Sequence, residues 1–146
     1  RTFPRTSSTW RWRCDRTAMP SPKNIRMNES SPARLAAQRQ LDAYNARDID
    51  AFAACYTVDV ELLTQQGGEV FCRGIDELRE RYGRMFAATP GLHCELVSRM
   101  VCGDIAIDEE MVRGVHESGV VHAIAIYEVQ GDLIRRAWFV REVLPE

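Results

Sequence analysis

The chain of 146 residues has 19 basic and 21 acidic side chains, three histidines, five cysteines and 45% hydrophobic residues. This length suits one domain, and a chain of this size can bury enough surface to fold without a disulfide or a metal. No apolar run approaches the ~18–20 residues of a membrane helix, and the composition excludes collagen, coiled-coil and wholly disordered chains.

The first 26 residues differ in composition from the rest of the chain. They hold seven basic residues and one acid, a net charge of +6, which leaves −8 for the remainder. Three prolines and a Ser/Thr run give this segment no helical or alternating period. We predict that residues 1–30 are a disordered basic extension outside the natural domain, that Met27 is the natural start, and that 31–146 form the domain. The alternatives are a transit peptide, or binding of nucleic acid or an anionic membrane through its tryptophans and arginines.

The cysteine and histidine patterns favour a reducing compartment and no metal site. The five cysteines are odd in number, and no two of them form a Cys-x-x-Cys pair. The histidines have no spacing typical of zinc ligands. We therefore expect a cytoplasmic protein without a cofactor or metal, in which each cysteine is a small buried hydrophobe.

Three helices are predicted from the capping residues and the apolar spacing. Ser31 can cap a first helix ahead of a proline, and this helix extends to about Arg47. Asp48 can cap a short second helix. Apolar residues spaced by three and four over 75–86 predict a third helix, which ends before Pro90.

The remaining segments predict six β-strands separated by turn signals. A hairpin precedes the third helix and a four-stranded meander follows it; the segments are 58–64, 69–73, 92–102, 104–115, 119–129 and 133–143. Short connections indicate antiparallel neighbours. The predicted fold class is α+β, with the helices on one face of a mostly antiparallel sheet in the order α-α-β-β-α-β-β-β-β.

Three segments of the sequence resemble the NTF2-like superfamily. They are LDAYNARDID at 41–50, FCRG at 71–74 ahead of a helix, and RAWF at 136–139. This superfamily includes SnoaL-like polyketide cyclases, ketosteroid isomerases and limonene-epoxide hydrolases. The resemblance implies a cone in which a curved sheet wraps the helices around an apolar pocket, usually in a homodimer. A shared fold does not by itself define the function.

The acids of two reaction types in this superfamily do not carry over to this sequence. Alignment with ketosteroid isomerases places Gln40 at the oxyanion tyrosine, Thr64 at the base aspartate and Ala125 near the protonated aspartate. None of these residues can perform the corresponding role. Alignment with epoxide hydrolases places Met111 in the family's Arg–Asp pair and an alanine at its second acid. The SnoaL-like cyclases, which can use one well-placed aspartate, stay open.

Strand alternation selects Glu109 as the candidate acid–base residue. It shares one face of its strand with Ile105, Ile107 and Met111. We expect this apolar face to line the pocket, where desolvation would raise the pKa of the Glu109 carboxyl. In the alternative, Glu109 lies at the wet mouth of the pocket or pairs with an arginine.

A second strand supplies the candidate hydrogen-bond donor Tyr127. It alternates with Ala123 and Ala125 in the row expected to face the pocket, although it can equally be a core residue. The predicted pocket wall comprises Gln40, Tyr44, Phe52, Tyr56, Thr64, Tyr82, Phe86, Met111, Ala125, Trp138 and Phe139. Alternation does not decide which of Trp138 and Phe139 faces the pocket.

The first strand of the meander offers a further candidate pair, His93 and Glu95, which share one face. They could form a base with its orienting carboxylate, or belong to an outer polar row. The opposite row, Cys94, Leu96 and Met100, is expected to face the core.

Two functional classes follow from these residues. The first is an enzyme that moves a proton on a small apolar molecule without a cofactor, as an isomerase, cyclase or dehydratase, with Glu109 as acid–base and Tyr127 and Gln40 as orienting donors. The second is a non-catalytic NTF2-like module that binds a ligand or forms dimers. At a net charge of −8 we do not expect the domain to bind nucleic acid, and no membrane segment is predicted.

Overall fold

The computed structural model describes residues 30–65, 68–117 and 119–145. The predicted extension over 1–30 therefore lies, except for Ser30, outside the described residues. Within them, no helix combines the length and the hydropathy needed to cross a bilayer.

Three helices form where the sequence predicts them. They are α1 (Pro32–Ala46), α2 (Ile49–Ala53) and α3 (Ile75–Ala88). Ser31 caps α1, because its hydroxyl accepts a backbone N–H three residues further on at 3.2 Å. Asp48 caps α2, because its carboxylate accepts the backbone N–H groups of the first turn. Local polar side chains thus define both helix starts.

The strands of the described residues form one six-stranded sheet. They are β1 (Tyr56–Thr64), β2 (Val70–Arg73), β3 (His93–Cys102), β4 (Ile105–Arg113), β5 (Gly119–Gln130) and β6 (Leu133–Pro145). Their order is β2-β1-β6-β5-β4-β3, in which β1 and β6 are parallel and all other neighbours are antiparallel. The predicted α+β class is confirmed, and the β1–β6 pairing joins the hairpin to the meander.

The helices cover one face of the curved sheet. Helix α1 contacts β3 to β6, while α3 contacts β1 and β2. The core between these layers contains Phe52, Leu62, Leu78, Tyr127 and Ile134, each at most 2% exposed. Burial of a side chain of this size contributes about 1.5–3 kcal/mol. This layer between helices and sheet is where a pocket can form.

A β-bulge in β3 changes which residues of the strand face the core. The register with β4 shifts between Leu96 and Ser98. Before the shift Cys94 is buried, whereas after it the side chain of Arg99 is only 4% exposed and Met100 is 63% exposed. The prediction that Met100 faces the core is wrong, because the extra residue reverses the alternation.

Candidate functional site

A cavity of about 260 Å³ lies between the helices and the sheet. Aromatic rings from all three helices and from four of the strands line it. The candidate donor Tyr127 lines it, together with six residues of the predicted pocket wall: Gln40, Tyr44, Phe52, Tyr56, Tyr82 and Phe139. Such a mainly apolar cavity with a few polar groups is typical of small-molecule sites.

Five residues of the predicted wall do not line the cavity. Phe86 and Ala125 are buried in the core instead. Met111 and Trp138 pair with residues of β5 that alternate with its buried row, so both lie on the outer face of the sheet. Of the adjacent aromatic residues Trp138 and Phe139, Phe139 is therefore the one that faces the cavity. Thr64, at the end of β1, is also outside the wall.

Glu110 is the only carboxyl group among the described residues that line the cavity. The residue is 6% exposed. Burial, reinforced by the negative charge of Asp108, raises the pKa of Glu110 to about 7, although hydrogen bonds from Tyr127 and the Cys94 thiol act in the opposite direction. Glu110 is therefore present in both its acidic and its basic form near neutral pH.

A short chain of hydrogen bonds connects Glu110 to α1. The Tyr127 hydroxyl donates to Oε1 of Glu110 at 3.3 Å, and Nε2 of Gln40 donates to that hydroxyl at 3.4 Å. Both Gln40 and Tyr127 are at most 5% exposed. Burial raises the pKa of Tyr127 well above its usual range, so its hydroxyl stays a neutral donor.

A buried ion pair lies next to Glu110 on the same face of β4. Asp108 is fully buried and binds Arg99 through two parallel hydrogen bonds, Nε to Oδ1 at 2.6 Å and Nη2 to Oδ2 at 2.7 Å. Arg99 also donates to the side-chain oxygen of Gln38 at 2.8 Å. The bidentate geometry holds the Asp108 carboxylate close to Glu110.

The predicted orientation of Glu109 is wrong. Its carboxylate lies on the outer face of the sheet, where it accepts the Ser98 hydroxyl at 2.9 Å and contacts Nε2 of His122 at 3.3 Å. Nδ1 of His122 contacts Glu142 at 2.9 Å, and the hydrogen bonds to the two carboxylates raise the pKa of His122. The apolar residues beside Glu109 did not mark the concave face, because the outer face of this sheet is also partly apolar.

The pairing of β4 with β5 is the signal that identifies Glu110. Glu110 lies opposite Ala123, and Asp108 lies opposite Ala125. Residues directly opposite in an antiparallel pair point to the same face. Since the row of Ala123, Ala125 and Tyr127 was already expected to face the pocket, the hairpin register places the even-numbered residues of β4 there too.

The second candidate acid–base pair is not assembled in the cavity. His93 and Glu95 are both exposed, and neither lines the cavity wall. The row that contains them faces away from the buried Cys94. They therefore belong to an outer polar row, which was the alternative prediction for this pair.

Two arginines lie at the open end of the cavity, where no sequence motif indicates them. The guanidinium of Arg81, on α3, lies 5.1 Å from the ring centre of Phe71. The guanidinium of Arg141, on β6, lies 4.4 Å from the ring centre of Phe139. Both arginines are exposed residues that line the cavity.

The cysteines in and around the site are thiols rather than thiolates. Cys55, Cys72 and Cys94 are buried and free. Burial raises the pKa of Cys72 to about 11 and raises those of the other two. Over the described ranges, no three His, Cys, Asp or Glu side chains are placed to hold a metal ion.

Comparison with known families agrees with this architecture. The fold is that of an NTF2-like protein. A family model described as the SnoaL-like domain matches residues 37–137, and the chain belongs to this family. No protein of curated function matches the sequence.

Solved structures share the fold at low sequence identity. An uncharacterised protein of cystatin fold from Novosphingobium aromaticivorans is 26% identical with a TM-score of 0.68, covering 76% of this chain and 98% of its own. A protein named as a candidate ketosteroid isomerase from Kribbella flavida is 21% identical with a TM-score of 0.63, covering 81% and 83%. One named as a candidate polyketide cyclase from Sinorhizobium meliloti is 18% identical with a TM-score of 0.63, covering 72% and 93%.

Proposed function

We propose that the protein binds a small, largely apolar molecule in the cavity and moves a proton on it without a cofactor. Glu110 is the acid–base residue of this proposal and replaces Glu109 in that role. The observation that carries the proposal is a buried carboxyl group with a pKa of about 7 inside an aromatic cavity. A group with this pKa can take a proton from one atom and return it to another at neutral pH, as an isomerase or cyclase requires.

Tyr127 and Gln40 are the proposed orienting donors. The Tyr127 hydroxyl lies within hydrogen-bond distance of both Glu110 and Gln40, so a ligand oxygen that binds it is held beside the carboxyl group. The hydrogen bond from the Tyr127 hydroxyl lowers the pKa of Glu110. If that hydroxyl donates to a ligand oxygen instead, the pKa of Glu110 rises and its carboxylate becomes a stronger base. Two structural neighbours are named as a candidate ketosteroid isomerase and a candidate polyketide cyclase, which agrees with proton-transfer chemistry.

Exchange of the α-protons of 2-tetralone in heavy water, followed by NMR, tests the proposal. We expect the protein to accelerate exchange, with a rate that rises around pH 7 as Glu110 ionises. Glu110→Gln should reduce the acceleration by about 10²–10⁴-fold, which is the usual contribution of general acid–base catalysis. Glu109→Gln is the matched control on the adjacent, outer-face residue, and it should retain the wild-type rate. Loss of exchange in Glu109→Gln but not in Glu110→Gln would contradict the assignment.

The second candidate function is binding without catalysis. It is favoured by one observation: the lining residues of the described chain include no second carboxyl group that could stabilise a developing oxyanion. In this case 2-tetralone would bind, as shown by shifted resonances of cavity residues such as Tyr127, but its protons would exchange no faster than in buffer. That outcome would assign the protein as a ligand-binding module.

We also propose that two copies associate through the outer face of the sheet. This face presents a partly exposed apolar row that includes Ile107, Met111, Ile124 and Ile126. Sedimentation should give twice the monomer mass, and Ile126→Lys should reduce it to the monomer because a charge cannot be buried there without a partner. A wild-type monomer at micromolar concentration would contradict the proposal.

A reducing, cytoplasmic location is the last part of the proposal. The four cysteines of the described residues, Cys55, Cys72, Cys94 and Cys102, are all free. Free thiols persist in reducing compartments and are uncommon in secreted domains. Cell fractionation tests the location, and recovery of the protein only from a membrane or extracellular fraction would refute it.

A further inference from the structure

The open end of the cavity carries two positive charges from separate elements, Arg81 of α3 and Arg141 of β6. We propose that the molecule bound in the cavity is an amphipathic carboxylic acid, whose carboxylate binds these two guanidinium groups while its apolar body extends inward toward Glu110. This inference rests on the proposed small-molecule function of the cavity and adds the substrate class.

The two guanidinium groups are arranged around one aromatic ring. The ring centre of Phe71 lies 5.1 Å from the guanidinium carbon of Arg81 and 5.6 Å from that of Arg141. Arg141 also lies 4.4 Å from the ring centre of Phe139. Contact with aromatic faces restricts the planar groups without occupying their N–H donors. Their donors therefore stay available to a ligand at the cavity entrance.

Neither arginine forms an ion pair with a carboxylate in the described part of the chain. No carboxylate of the described residues lies within 4.0 Å of Arg81 or Arg141. By contrast, Arg79 and Arg84, which flank Arg81 on α3, each have a carboxylate partner. A ligand carboxylate would supply the missing partner, and guanidinium–carboxylate pairs are among the stronger hydrogen-bonded pairs in proteins.

The charges also define the direction in which such a ligand binds. Arg141 is close enough to Glu110 for its positive charge to lower the pKa of that carboxyl group. Charges at the entrance of the cavity therefore act on the group at its inner end. A ligand carboxylate beside Glu110 would be repelled once Glu110 ionises, whereas beside the arginines it is attracted. The charged end therefore stays at the entrance, and the uncharged carbon skeleton reaches the acid–base residue.

A matched pair of probes tests the inference: 2-naphthylacetate and its primary amide, titrated by calorimetry at pH 7.5. The two share the same aromatic body and differ in the end group, which is a charged carboxylate in one and a neutral amide in the other. We expect the carboxylate to bind about tenfold more tightly, as a charge-assisted hydrogen bond predicts, and the preference to decrease with added salt. Equal affinities, or tighter binding of the amide, would overturn the inference and leave the proposed proton transfer standing.

Variants locate the preference on the two arginines. Arg81→Gln and Arg141→Gln should each weaken binding of the carboxylate and leave that of the amide nearly unchanged. Arg84→Gln is the matched control on the same helix, and it should keep the full preference because Arg84 does not line the cavity. A preference that survives in the double Arg81→Gln, Arg141→Gln variant would overturn the inference, as would a preference in the wild type that is independent of salt. If neither probe binds, both the inference and the proposed cavity function are wrong.

Discussion

Replacement of Glu110 by glutamine should make the protein's stability, relative to the wild type, increase with pH. The pKa of Glu110 is raised from 4.5 to about 7 in the folded state, chiefly by burial. Between these two values the folded state holds a proton that the unfolded state has released, so stability falls as the pH rises. Below pH 4.5 both states are protonated and the destabilisation is absent. Above pH 7 both are ionised and it is complete.

The size of the effect follows from the pKa difference. Each pKa unit corresponds to 1.36 kcal/mol, so the raised pKa of Glu110 should cost about 2 kcal/mol of unfolding free energy at pH 6 and about 3 kcal/mol at pH 8. The neutral glutamine does not incur this cost. Its unsatisfied amide protons add a cost that does not vary with pH. The variant's stability relative to wild type should therefore rise by about 3 kcal/mol between pH 4.5 and pH 8.

Urea denaturation of both proteins at several pH values measures this difference, because groups common to both cancel. Glu95→Gln is the control for the same substitution at a glutamate that is exposed and outside the cavity. A Glu110→Gln difference that changes by less than about 0.5 kcal/mol across this range would refute the buried, protonated carboxyl on which the proposed function depends.

Three further substitutions test the surroundings of the site. Tyr127→Phe should raise the pKa of Glu110 further in an NMR titration, since the hydroxyl's hydrogen bond lowers it; an unchanged or lower pKa would contradict the contact. Asp108→Ala should lower the free energy of unfolding, measured by urea denaturation, by about 3–5 kcal/mol, because it leaves Arg99 buried without its partner. A loss of less than about 1 kcal/mol would mean that the ion pair is solvated. Gly114→Ala should lower the midpoint of thermal unfolding. Gly114 has a φ of +80°, which is strained for other residues, and the Cβ of an alanine there would collide with neighbouring backbone. An unchanged midpoint would show that the loop relaxes.

The limits of the helices and strands could be predicted because they depend on short-range chemistry. Ser31 and Asp48 cap the helices that they were expected to cap. Apolar spacing placed α3 within two residues of its observed ends. In each case the side chain and the backbone groups that it satisfies are separated by no more than a turn of helix.

The inward row of β5 could also be predicted, since its alternation is uninterrupted and Ala123, Ala125 and Tyr127 are all buried. The adjacent strand was harder to interpret, because both of its faces carry apolar residues. There the choice between Glu109 and Glu110 depended on the partner strand, whose register places Ala123 opposite Glu110. A one-residue difference in alternation moves a carboxylate from the cavity to the outer face.

The sequence by itself determined the order and type of the helices and strands, the helix caps and the superfamily. Only the tertiary structure decided which carboxyl group is buried, that Arg99 turns inward after the β3 bulge, and that Arg81 and Arg141 meet at one aromatic ring. The physical reason is distance along the chain. Helix caps and alternation act between near neighbours, whereas the protonation of Glu110 depends on burial and charges contributed by residues that only folding brings together.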